Sequence, residues 1–184
     1  MTVVVGYDRS RSADLALAQA GREAAWRDTS VTVVNAFHGV VASPAGYVPL
    51  DMEVRLKTAA DAIADAGVEW LRHRYPGRAV DSKTIPSPAA DALAEASRDA
   101  ELLVLGNRGR GGFKGLVLGS VSMRTLEFAS CPTMIVRGTP GEPADSIVLA
   151  LDIEDPADEA VDFAFAEASR REARLRIVSA WDLD

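Results

Sequence analysis

Glycines stand at positions 106, 109, 111, 112, 115 and 119, in a stretch that carries Arg108, Arg110, Lys114 and Arg124 and has no acid between Glu101 and Glu127. Within it, Gly106-x2-Gly109-x9-Gly119-Ser120 is a pattern suited to anion chemistry. Glycine lets backbone amides approach a phosphate chain with no side chain between, and it admits the positive φ angles of an anion-binding nest. Gly119-Ser120 opens a helix whose unpaired amides and dipole favour negative charge, and the hydroxyls of Ser120 and Ser122 can add donors. Arg108 contributes a cation whose effect salt would screen. A solvated turn accounts for basic residues alone, but it does not require so many glycines.

Other chemistries fail on spacing. No Gly-x4-Gly-Lys-Ser/Thr loop is present, since Lys114 precedes Gly115. The loop follows the fourth strand rather than the first, so it is not a dinucleotide fingerprint. A Gly-x-Ser-x-Gly elbow is absent, and His38 and His73 have no triad partners, which makes them surface or packing residues. Cys131, before Pro132 at a strand entry, reads as structural. No catalytic residue and no metal-ligand set is assigned.

The elements around the loop fix where it points. Residues 3–7 are a short β-branched run suited to a strand buried on both faces. Ser12 can cap a helix to about Arg27, and 31–37 form a second strand. A Gly/Pro/Ser-rich loop at 38–49 precedes a helix at 51–75, stopped by Pro76-Gly77. A more polar strand follows at 79–85, then a helix at 88–98 with Ser87 as its cap. The apolar strand 102–106 leads into the glycine loop, and helix 120–129 and strand 133–136 complete the unit. Strands alternating with amphipathic helices predict a doubly wound parallel α/β sheet. Its ligands bind beyond the carboxyl ends of the strands, where strand order reverses. If the strand ending at Asp8 and the strand ending at Gly106 are neighbours there, an acid and a cationic glycine loop share one crevice.

Residues 147–181 align without a gap to residues 3–37 at an offset of 144. Identical pairs include Asp8/Asp152, Glu23/Glu167 and Arg27/Arg171. This predicts one whole unit at 1–138, a Gly/Pro linker at 139–145, and the N-terminal fragment (βαβ) of a second copy at 146–184. With 184 residues, 48% hydrophobic content and one cysteine, the chain can bury a core but cannot form an internal disulfide. The start lacks a basic leader and no apolar run is long enough to span a bilayer, which predicts a cytoplasmic protein without a membrane partner. A net charge of −7 argues against generic nucleic-acid binding.

The opening Val-Gly-Tyr-Asp-Arg-Ser, the strand end Val34-Asn35-Ala36, the run Gly-Asn-Arg-Gly-Arg-Gly-Gly-Phe, Gly119-Ser120-Val121-Ser122 and Ala129-Ser130-Cys131-Pro132 together resemble the universal stress protein family. The resemblance implies a five-stranded sheet in the order 3-2-1-4-5, of the adenine nucleotide alpha hydrolase-like kind, and ATP binding. It implies that Asp8 holds a ribose hydroxyl and that Ala36 lines the adenine pocket through its backbone. Gly106 and Gly109 would take ribose and phosphates, and Gly119, Ser120, Val121 and Ser122 the phosphate tail. Asn107 stands where many relatives have Ser. The expected ligand is ATP with Mg2+, the expected assembly a homodimer or higher homo-oligomer, and the expected role regulatory binding in a stress response. A slow ATPase or phosphotransferase and a nucleotide-free interaction module are the alternatives.

Overall fold

The structure, a computed structural model, describes residues 1–37, 51–109, 117–138, 145–152 and 154–180. The expected loop at 38–49, with His38, the middle of the glycine stretch at 110–116, and linker residues 139–144 lie outside them. The chain divides into two compact units, Met1–Pro140 and Gly141–Asp184.

The first unit runs β1 (Thr2–Gly6), α1 (Arg11–Arg27), β2 (Ser30–Ala36), α2 (Met52–Arg74), β3 (Val80–Ile85), α3 (Ala89–Ala96), β4 (Leu102–Gly106), α4 (Ser120–Phe128) and β5 (Thr133–Val136), with one 3-10 turn at Ser97–Asp99 before β4. All strand pairs are parallel, in the order β3-β2-β1-β4-β5. Burial on both faces explains why β1 and β4 read as unbroken apolar runs. Val3, Val5, Val31, Val33 and Val104 pack with Leu17, Ala20, Val68 and Leu71 on the α1/α2 side. Val4, Val34, Leu103 and Leu105 pack with Ala92, Leu93 and Ala96 of α3 on the other. β3 lies at an edge, and its Asp81, Ser82 and Lys83 are exposed, which discourages further strand pairing.

Helix starts differ from the sequence expectation in who caps them. Ser10 caps α1, its hydroxyl accepting from the Ala13 amide at 3.2 Å, so Ser12 is freed for another use. Pro88, not Ser87, stands at the cap of α3, and Gly119 at that of α4, neither with a side-chain bond. Ser120 is therefore the first helical residue of α4. α1 ends at Asp28, in the left-handed conformation at φ 48°, its amide donating to Ala24 and Ala25 carbonyls.

A charged pair is buried near the end of α1. Glu23 is 0% exposed and lies against the Arg27 guanidinium, while Gln19 Nε2 donates to Glu23 Oε1 at 2.7 Å. Arg27 Nε also reaches Glu101 Oε1 at 3.5 Å, just before β4. Partners on every side make burial of these charges tolerable. Tyr7, just past β1, packs on the same core and its hydroxyl donates to Asp14 Oδ1 at 3.0 Å. Burial first, then that bond, pushes the phenol from 10.0 to about 12.

The second unit is a parallel pair, β6 (Ser146–Ala150) and β7 (Arg174–Val178), joined by α5 (Asp158–Arg170). Glu167 is buried against Arg170 and Arg171; Glu167 and Arg171 stand 144 residues after Glu23 and Arg27, and Arg170 has no charged counterpart, Trp26 holding that place. Asp152 Oδ1 accepts from the Glu154 amide at 3.0 Å, as Asp8 Oδ1 accepts from that of Ser10 at 2.9 Å. Glu172 is left-handed at φ 51°, like Asp28. Unlike Val4, Val33 and Val34, however, their counterparts Val148, Ile177 and Val178 are exposed.

Two outcomes follow from these contacts. Arg27→Ala, which strands a buried carboxylate, should cost about 3–5 kcal/mol in denaturant unfolding, whereas Glu23→Leu with Arg27→Met should recover most of that loss. A double variant as unstable as the single would show that packing rather than charge pairing matters here. For Tyr7, the folded state favours the neutral phenol, so its contribution is complete below the ordinary phenol pKa and is lost as pH rises toward about 12. The wild-type melting temperature should accordingly fall relative to Tyr7→Phe between those limits, and parallel curves would contradict the assignment.

Candidate functional site

β1 and β4 are direct neighbours, with Val5 opposite Val104, and strand order reverses between them. Two strand exits therefore open into one crevice. At the first, the Tyr7 amide donates to Val34 O at 2.9 Å and Asn35 Nδ2 donates to Tyr7 O at 2.6 Å, which ties the end of β1 to β2. Arg9 takes a left-handed turn at φ 60°, uncommon for a side-chain-bearing residue. The turn brings the Ser10 amide onto Asp8 Oδ1. The other carboxylate oxygen, Oδ2, lies 3.2 Å from where a Cβ on Gly109 would stand.

At the second exit, a Cβ on Gly106 would stand 2.5 Å from Ser12 Oγ and 2.6 Å from Ser12 O, so only glycine fits against the first turn of α1. The Asn107 amide continues the sheet to Val136 O at 3.0 Å, and the Gly119 amide donates back to Asn107 O at 2.8 Å. That bond returns the chain to the β4 exit, where α4 begins. Ser122, on the first turn of α4, donates its hydroxyl to Gly106 O at 2.9 Å.

The crevice has a volume of about 220 Å³ and is lined by Asp8, Ala36, Gly106, Arg108, Gly109, Val121 and Ser122, among the residues singled out from the sequence. Gly119 and Ser120 do not line it, and stand instead at the start of α4. Of the two reasons expected for the glycines, room for close approach and positive φ, the second does not hold for those lining the crevice. Among the described glycines only Gly77 and Gly138 have positive φ; Gly106 and Gly109 provide room, not an unusual backbone. The Ser122 hydroxyl already has an acceptor in Gly106 O, whereas Ser120 is exposed.

Apolar walls complete the crevice. Leu93 and Ala89 of α3, with Leu105 of β4 and Gly6 of β1, line it too; of these only Gly6 stands in a motif quoted from the sequence, and none was given a role in the site. Gly6 and Leu105 stand at the carboxyl ends of their strands and Ala89 at the start of α3, whereas Leu93, in the middle of that helix, carries no such signal. Asn35 also lines it, and being only 5% exposed it serves the architecture through its bond to Tyr7. Away from the crevice, burial pushes the Cys131 thiol up, partly offset by a backbone bond from Leu103, which disfavours the nucleophilic thiolate. Hydrogen bonds from Lys57 and then Thr84 hold the Asp61 carboxyl down. Among the described residues, no three His, Cys, Asp or Glu side chains converge to hold a metal ion, and no helix is long and apolar enough to cross a membrane.

A sheet of this order with this crevice can be compared with known proteins. A universal stress protein of Mycolicibacterium smegmatis is 33% identical over 187 residues, covering 97% of this chain. The alignment takes in 63% of that relative, so the chain spans less than two thirds of its length. Among solved structures, a universal stress protein from Archaeoglobus fulgidus DSM 4304 superposes with a TM-score of 0.73 at 17% identity, over 98% of this chain and 67% of that one. The universal stress protein from Archaeoglobus fulgidus in complex with dAMP gives 0.53 at 21% identity, over 74% and 98%. These two likenesses concern the fold. The family model for the universal stress protein family matches residues 1–137, and with that match and the curated relative, the chain belongs to the universal stress protein family.

Proposed function

We propose that the first unit binds an adenine nucleotide, ATP with Mg2+, and acts as a nucleotide-dependent regulatory protein of the stress response rather than as a fast enzyme. The observation that carries this reading is the crevice of about 220 Å³ at the β1 and β4 exits, where Gly109, having no side chain, leaves open the space beside the Asp8 carboxylate. Asp8 suits a ribose hydroxyl, which needs an acceptor. Ala36, Leu93 and Leu105 supply the apolar surface for a base. Gly106 and Gly109 let phosphates approach the backbone, and the α4 amides at Ser120, Val121 and Ser122 favour the anionic tail. Arg108 adds positive charge, and magnesium would be carried on the phosphates. The related fold solved with dAMP agrees with this class of ligand. Binding needs only these groups, whereas phosphoryl transfer also needs a positioned nucleophile and metal.

For residues 146–184 we propose the opening βαβ of a second domain of the same kind. The buried Glu167–Arg171 pair and the Asp152 turn support the equivalence. The exposed Val148, Ile177 and Val178 imply that something covers them, and self-association of a cytoplasmic protein is the simplest route.

Titration calorimetry should find one ATP per chain, since residues 146–184 carry Asp152 but no glycine loop. Two equivalent sites would contradict this. In Gly109→Val the side chain takes up space beside the Asp8 carboxylate and ATP affinity should fall at least about tenfold, with the melting temperature little changed because only that carboxylate lies near the new Cβ. Unaltered affinity in that variant would place the phosphates elsewhere.

A further inference from the structure

Ser12 lies outside the crevice and is not needed as a helix cap, because Ser10 fills that role. Its hydroxyl is nevertheless engaged in both directions across more than ninety residues of sequence. Ser12 Oγ donates to Asn107 Oδ1 at 2.9 Å and accepts from the Arg108 amide at 3.3 Å. The missing Cβ at Gly106 is what permits this approach, since it would stand 2.5 Å from the same oxygen. Asn107 in turn closes the base of the glycine stretch. Its carbonyl accepts from the Gly119 amide at 2.8 Å, and its Nδ2 donates to Val117 O at 3.4 Å.

These bonds form one chain from α1 through Ser12 and Asn107 to the first residues of α4. The cap of the same helix holds Asp8 through the Ser10 amide. α1 thus references both ends of the site, the nucleoside end through Asp8 and the phosphate end through Ser12.

We propose that Ser12 and Asn107 are positioning residues for the phosphate-binding end: their bond sets where the chain leaves β4 at Gly106–Gly109 and where it enters α4 at Gly119. This rests on the nucleotide reading given above. Loss of the bond lets the loop base relax while leaving Asp8 and the apolar walls in place. Its effect is therefore on polyphosphate affinity and not on nucleoside affinity.

The test compares ATP with adenosine on the full chain by calorimetry, for wild type, Ser12→Ala, Asn107→Ala and the double variant. Each single variant should weaken ATP by about tenfold while adenosine affinity stays within about twofold of wild type. The double variant should lose less than the product of the two single losses, since both break the Ser12–Asn107 bond. A merely structural role would lower both ligands together, and that result, or unchanged ATP affinity, overturns the proposal. Failure of the wild-type chain to bind either ligand would instead remove the nucleotide reading and the proposal with it.

Discussion

The close approach of α1 to β4 is the constraint on which the site depends. Gly106 presents no Cβ toward Ser12, so the first turn of α1 can sit directly against the end of β4. At the other end of the same two elements, Arg27 of α1 reaches Glu101 before β4 begins. One helix is thereby fixed to one strand at both ends, by neutral hydrogen bonds at the carboxyl edge of the sheet and by charge at the amino edge. β1 lies between β2 and β4 and feeds α1, so Asp8 is held in the same frame. A shift of α1 relative to β4 would separate Asp8 from Gly109 and open the base of the glycine segment together.

The buried Glu23–Arg27 pair belongs to that frame rather than to the chemistry. Ion pairs of this kind contribute little net stability compared with apolar packing, while breaking one is costly. What the pair adds is register: a carboxylate that must find both Gln19 and Arg27, and an arginine that must also find Glu101, admit few alternative seatings of the helix. The recurrence of a buried Glu167 with Arg171 at the end of α5 places the same device in the second unit. There the sheet surfaces formed by Val148, Ile177 and Val178 are exposed, whereas in the first unit α1, α2 and α3 cover the corresponding valines.

Much of the architecture was legible because it rests on local pattern. Apolar β-branched runs separated by amphipathic helices leave few alternatives to a parallel sheet, and Gly106 and Gly109 of the glycine pattern line the crevice at the strand exits. Side-chain geometry was less legible. The role of Ser12 depends on a contact with Asn107 and Arg108, far away in sequence, so local pattern offered only the capping role that Ser10 performs. Of the two reasons expected for the glycines, room for close approach and positive φ, Gly106 and Gly109 show only room, and the neighbours that require it, Ser12 and Asp8, are far away in sequence. Leu93 and Leu105 look like ordinary core residues in sequence. Their place at the edge where the sheet meets the cleft is a property of the assembled fold.

Amide shift mapping by heteronuclear NMR, with ATP added to the isotope-labelled chain, addresses the central claim most directly because it locates the ligand rather than merely detecting it. The account predicts saturable shifts for the amides of Asp8, Ala36, Gly106, Gly109, Val121 and Ser122, with those around Asp152 unmoved. Saturable shifts confined to the second unit, or to surfaces away from the β1/β4 exits, would contradict it, as would a spectrum that ATP leaves unchanged.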